Sequence, residues 1–215
     1  MNRNIILAVL VSLLSVSPAS AATEQEVVNQ SARILRRFQA MPETAIPNRV
    51  LRQAEGLAII TVVKIGFGLS GKGGQGVVVA RTPDGGWSDP SFIGTGGAGW
   101  GLQIGAQITE FVFVLNTREA VQAFSRDGNV TIGADLSAAA GPVGRTLQAG
   151  LTPRAAVYTY SRSEGLFAGV SLEGAVIATQ KTANTRYYGR PVRASEILQG
   201  RVRSRRAAVL RRALR

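Results

Sequence analysis

The chain contains no cysteine and no histidine among its 215 residues. Without cysteine there is no disulfide, no thiolate nucleophile and no thioether lipid anchor at the amino terminus. Without histidine every imidazole-dependent triad is excluded, and the two absences together remove the usual zinc ligands. Acids are outnumbered, with 13 Asp and Glu against 25 Lys and Arg. These carboxylates are scattered with no metal-ligand spacing, so the sequence predicts no metal, no cofactor and no enzyme. A carboxylate pair assembled by folding, for instance Glu110 with Glu173, is the catalytic arrangement that spacing leaves open. The net charge of +12 favours an anionic partner, a lipid headgroup or a nucleic acid.

Long apolar runs are also scarce. Arg3, the run Ile5 to Leu14 broken only by Ser12, and Ala19-Ser20-Ala21 have the order of a secretory signal peptide, with an apolar core too short to span a bilayer. Residues 1–21 are therefore expected to direct export to the periplasm or the medium, with the mature chain starting near Ala22. Thr23 and Glu26 then have the spacing of a capping box. Val27, Val28, Ile34, Leu35, Phe38 and Met41 share one helical face, with Asn29, Arg33, Arg36 and Arg37 mostly opposite. Such a basic amphipathic helix either packs on the domain or lies on a membrane surface. Pro47 opens a second short helix, ending before Gly56.

Glycine is abundant, with 25 residues, while aromatics make up only 6%. The sheet begins at Leu57: a β-branched run, a glycine- and lysine-bearing middle, and a second β-branched run ending at Arg81 predict a buried strand, a tight glycine-rich connection and another strand. Gly66 to Gly71 matches the dinucleotide fingerprint G-x-G-x-x-G, but Lys72-Gly73-Gly74-Gln75-Gly76 and a valine run follow where a helix would have to open, so a nucleotide site is rejected. Lys72 is either a solvated turn residue or part of an anion nest. Lys64, inside an apolar run, must snorkel, pair with a carboxylate or face a polar groove. From Trp100 to Ile108 apolar residues alternate with Gly101, Gln103, Gly105 and Gln107, leaving a small face that allows close backbone approach. Thr117 or Asn116 caps a helix that turns Val121 and Phe124 inward. Residues 184–193, with Arg186, Tyr187, Tyr188, Arg190 and Arg193, are expected to close a sheet edge.

The stretch Leu57–Arg81, with Asp84-Gly85-Gly86-Trp87-Ser88-Asp89-Pro90-Ser91 and Gly165-Leu166-Phe167-Ala168-Gly169-Val170-Ser171-Leu172-Glu173-Gly174, resembles the SYLF domain family from about Ser31 to about Gly200. The resemblance implies a lipid-binding module, associated with cortical actin in eukaryotic members, in which the amino-terminal helix takes part in lipid binding. Arg33, Arg36, Lys64, Lys72 and Arg81 fall on basic positions of the family pattern.

The whole reads as an α+β fold, a twisted antiparallel sheet that is barrel-like or sandwiched, flanked by a few helices. Its parts are a signal peptide over 1–21, a lipid-binding domain over 22–200 and an arginine-rich tail over 201–215. The tail has seven arginines and no acid, and removing these and Arg3 from the +12 leaves +4 for residues 22–200. The expected function is peripheral association with anionic phospholipid membranes. Ile34, Leu35 and Phe38 would insert, Arg33, Arg36, Lys64 and Lys72 would meet phosphates, and the tail would add nonspecific attraction. An envelope structural or protein-interaction domain is the alternative, and a nucleic-acid-binding protein is the less favoured one.

Overall fold

In the computed structural model, which describes residues 22–41, 46–142, 155–165 and 176–215, Thr23 and Glu26 form the capping box their spacing predicts. The Thr23 hydroxyl accepts from Glu26 N at 3.3 Å, and Thr23 N donates to the Glu26 carboxylate at 2.7 Å. Two otherwise orphaned donors at the start of helix α1 (Glu24–Ala40) are thereby satisfied. A short α2 (Asn48–Gln53) follows with Pro47 at its N-cap. The expected signal peptide lies outside the described residues, as do residues 166–174 of the stretch that carries the family resemblance.

The sheet grows from two strands of 25 residues each, β1 (Gly56–Ala80) and β2 (Ser91–Leu115). They pair antiparallel from Gly56 opposite Leu115 to Val78 opposite Ser91, with one register shift where Phe67 opposes Ile104 and Leu69 opposes Trp100. A straight strand of this length would reach about 80 Å. Instead β1 doubles back: Arg81 N donates to Glu55 O at 2.7 Å, and a Cβ placed on Gly76 would lie 2.0 Å from the Ile59 carbonyl oxygen. Only glycine permits that approach. The pairs Glu55 with Arg81, Ile59 with Gly76 and Thr61 with Gly74 all centre the bend on Phe67–Gly68.

This corrects the expected glycine-rich connection. Residues 71–76 are not a turn but part of the strand, with Gly73 opposite Gly96. The order strand, bend, strand survives, with the bend moved to the register shift. The folded ribbon is extended on the free edge of β2: β5 (Val157–Gly165) pairs with Gln107–Leu115, and β6 (Val176–Thr179) with Ile93–Thr95. Beyond them lie β3 (Asn129–Thr131) on β6 and β4 (Ala138–Ala140) on β5. Counted by arms, these make a curled half-barrel of eight strand segments, α+β as expected, and mixed because β4 runs parallel to β5.

Both faces of the sheet are buried along most of its length, which is why the strands read as near-continuous apolar runs. On the inner face, where the arms of β1 confront each other, Ala58, Ile60, Val78, Phe111 and Phe113 pack with Ala120 and Phe124 of α3 (Arg118–Ser125). Thr117 caps α3 by accepting from Ala120 N at 3.2 Å, as its position predicts. On the outer face, Leu57, Ile59, Val79, Val112 and Val114 lie beneath α1, α4 (Lys181–Tyr188) and α6 (Ala208–Ala213). The expected sheet edge over 184–193 is thus corrected: α4 is a helix, stopped by Gly189 at φ 71°. Its buried Asn184 accepts from Phe92 N at 2.8 Å and donates to the Ser91 hydroxyl at 3.2 Å, tying it to the start of β2.

The carboxyl-terminal segment is equally part of the body. After α5 (Ala194–Leu198), a single 3-10 turn (Arg205–Ala207) runs into α6, and Ala207, Leu210 and Ala213 are buried. Asp89, fully buried, accepts from Arg211 and from Ser204 N, with Arg203 at 3.9 Å. Arg206 lies over the Tyr187 ring at 4.6 Å and donates to Gln25 at 3.1 Å. A burial-driven fold of this kind leaves no loose arginine tail, because a buried carboxylate is retained only where charges and donors meet it. No helix among the described residues is long and apolar enough to cross a membrane.

Candidate functional site

The residues expected to insert into lipid are in the core. Ile34, Leu35 and Phe38 pack on the outer face of the sheet with at most 2% of their surface exposed. While α1 is docked they cannot meet a bilayer. Undocking would uncover the helix and the sheet face beneath it together, at about 1.5–3 kcal/mol for each large apolar side chain. Lipid would cover only the helix.

The four expected cations do not form one cluster. Arg33 and Arg36 are exposed on α1. Gln30 donates to Thr61 at 3.3 Å and Arg37 to Glu110 at 2.6 Å. Arg33, one turn from each, therefore stands on the flank facing the ribbon. Arg36 shares the other flank with Gln25 and Gln39, which reach the carbonyls of Arg206 and Ala213 at 3.2 and 3.3 Å. Lys64 and Lys72, both half-buried, occupy equivalent positions on the two arms of β1. By strand alternation they share the inner face with Ile60, Val62 and Val78, opposite the helix side.

The feature that sequence reasoning missed lies where the ribbon runs past the end of its helical cover. Val63 is 38% exposed, Ile65 62% and Ile108 47%. Val63 opposes Ile108 and Ile65 opposes the exposed Ala106, so the four form one apolar patch on the outer face. Alternation over 100–108 already placed Ala106 and Ile108 on a common face. What it lacked was the end of the helix. A pocket of about 420 Å³ adjoins the patch, bounded by Val27 and Gln30 of α1, by Val63 and Gly74 of the two arms, and by Ile108.

Charge borders the patch on its helix side. Glu110 is shared between Arg37 at 2.6 Å and Arg162 at 3.7 Å, and the exposed Arg33 stands one turn from Arg37. Glu24, at the far end of α1, is held below the usual carboxylate range although burial works against it. A backbone hydrogen bond and Arg186, 2.5 Å away, outweigh that cost. Burial pushes the Tyr187 phenol up to about 12, and burial likewise raises Tyr160 and Tyr188. None of the three supplies an acid or base near neutrality. Among the described residues no group of three acids is placed to hold a metal. The chemistry on offer is contact: an apolar surface, cations around it and a cavity beside it.

Comparison with known proteins bears on what such a surface meets. The sequence profile of the family described as "Ysc84: Las17-binding protein actin regulator" matches residues 96–215, arginine-rich end included. Human "SH3 domain-containing YSC84-like protein 1" is 46% identical over 178 residues, covering 80% of this chain and 52% of that protein. "LAS seventeen-binding protein 3" of Saccharomyces cerevisiae is 49% identical over 165 residues, 75% of this chain and 36% of its own length. "Protein YSC84" of the same yeast is 46% identical over 183 residues, 81% of this chain and 39% of that protein. The chain spans about half the length, or less, of the curated relatives it matches.

Proposed function

The chain belongs to the Ysc84 (SYLF) family, and from that premise we propose that it is a non-catalytic binding module that docks peripherally on anionic phospholipid membranes by the bend of its ribbon. The observation that carries the reading is the exposed patch of Val63, Ile65, Ala106 and Ile108 beside a cationic flank. Contiguous exposed apolar surface rimmed by polar groups marks an interaction site. The bend itself carries Phe67, Leu69, Trp100, Leu102 and Ile104 in its sequence, with Trp a residue favoured at membrane interfaces. With the bend toward the bilayer, the patch reaches the acyl boundary. Lys64 and Lys72, at the base of the bend on the inner face, and Arg33 on the outer side meet headgroup phosphates, the lysines snorkelling. Helix α1 stays docked. Export directed by residues 1–21 would give the module envelope phospholipid as its surface.

The test is co-sedimentation of the chain with phosphatidylglycerol-containing and with purely neutral vesicles at moderate salt, beside Ile65→Asp combined with Ile108→Asp. These side chains are exposed, so the variant keeps its fold. Binding to anionic vesicles is expected to fall at least about tenfold in the variant, since each buried apolar side chain is worth more than 1 kcal/mol. Equal sedimentation of parent and variant sinks the reading.

The relatives' names favour a second reading, a protein partner on the same patch, because a "LAS seventeen-binding protein" binds protein. Absence of vesicle binding by the folded parent chain would transfer the patch to that reading.

A further inference from the structure

A second cavity, of about 270 Å³, lies at the other end of the helical cover, between α1, α2, the end of β1 and the last residues of the chain. Three arginines, Arg52, Arg81 and Arg215, are among the residues that line it, and no Asp or Glu side chain among the described residues does. None of the three makes an ion pair with a carboxylate among the described residues. Glu55, which acts on Arg81 through space, lies 3.8 Å from Arg118 instead. Arg81 is held by the carbonyls of Gly85 and Leu51 at 3.3 and 3.4 Å and stacks on the Trp87 ring at 4.0 Å. Its position is therefore fixed without a carboxylate in contact with it. Trp87, 8% exposed, forms part of the wall, and its buried ring N–H has no acceptor among the described residues. The floor is apolar, built by Leu51, Leu57 and Leu214.

Like charges around one cavity with an apolar floor favour an anion that joins them, and guanidinium is the group best shaped for phosphate oxygens. We propose that this pocket binds the phosphate group of a small amphiphile, a phosphate ester with an apolar body, through Arg52, Arg81 and Arg215, with the leucines against the apolar part. Leu214 and Arg215 reach the site because the carboxyl-terminal segment is docked, in part through the Asp89 contacts with Arg211 and Ser204. The inference deepens the lipid reading and rests on it for one source of the ligand, a phospholipid headgroup. A soluble phosphate ester is the other.

The sequence has two tryptophans. In the full chain carrying Trp100→Phe, Trp87 is the sole indole and reports on its own pocket. Dihexanoyl phosphatidic acid, kept below its micelle concentration, is expected to change its emission saturably. Arg52→Ala and Arg215→Ala, both at exposed side chains, should each weaken that binding about tenfold, the loss of one charge-assisted hydrogen bond. Glycerol 3-phosphate distinguishes the sources: saturation as tight as with the lipid assigns a soluble ester to the same arginines, and weaker binding assigns the lipid. No saturable change with either probe overturns the proposal, and so does binding unaltered by both arginine variants. No bilayer is present in this titration, so its outcome is independent of the sedimentation result for the ribbon patch.

Discussion

The carboxyl-terminal segment and the ribbon bend invert what their compositions suggest. Residues 201–215 hold seven arginines, the densest charge in the chain, yet Arg211, Arg203 and Arg206 are spent on Asp89, Gln25 and Tyr187 inside the fold. The ribbon looks like internal sheet, mostly glycine and aliphatics, yet it leaves Val63, Ile65 and Ile108 in solvent. Charge count says how much a segment can attract. Whether it attracts anything outside the molecule depends on how many of those charges already have partners.

The largest expected effect separates covered from uncovered apolar surface. Phe38→Ala opens a cavity between α1 and the sheet and should cost about 3–5 kcal/mol in urea unfolding, whereas Ile65→Ala should change stability by less than about 0.5 kcal/mol. Comparable losses would mean that the patch is packed in solution and the contrast is wrong. Next comes Asp89→Ala, which strands Arg211 and removes the acceptor of Ser204 N. Breaking a buried pair costs about 3–5 kcal/mol, and the partial exposure of Arg211 argues for the lower end. Limited proteolysis should then cut within 201–215 before the rest. Continued resistance there would show that buried Ala207, Leu210 and Ala213, with the Arg206 and Gln39 contacts, hold the segment without Asp89.

A smaller effect tests the two flanks of α1. Arg33 faces the ribbon, and Arg36 faces the carboxyl-terminal segment. Near an anionic surface a cation contributes about 1 kcal/mol, so Arg33→Ala should weaken vesicle binding about fivefold and Arg36→Ala by less than twofold. The reverse order in a sedimentation titration would turn the helix, and not the bend, toward the membrane.

Local signals were the legible ones. The capping box at Thr23, the cap at Thr117 with Phe124 inward, and the apolar face of α1 all depend on residues within about two turns of one another. The glycine run over 71–76 was misread because its partner, Ile93 to Ala98, lies 17 to 27 residues away. A glycine-rich segment looks like a turn until another backbone is found to pair with it. The arginines of 201–215 were misread for the same reason, since Asp89 is more than 110 residues distant. The site suffered most: exposure of Ile65 depends on where α1 stops covering the sheet, and no spacing within β1 encodes that.

The smallest expected effect is none, and it decides between bend and helix as the inserting element. Gln30 and Thr61 touch across the gap between α1 and β1 at 3.3 Å, and the chain has no cysteine of its own. Cysteines at these two positions, bridged by a short bis-methanethiosulfonate that forms a disulfide with each thiol and releases methanesulfinate, would fix the helix on the sheet without disturbing other thiols. If the apolar face of α1 enters lipid, the bridge must abolish binding, because Ile34, Leu35 and Phe38 reach a bilayer only after the helix lifts. If the bend is the contact, Ile65 and Ile108 are already outside, and bridged and reduced protein should co-sediment with anionic vesicles alike. Loss of binding on bridging, restored by reduction, would return the helix to the membrane and demote the patch to a protein-contact surface.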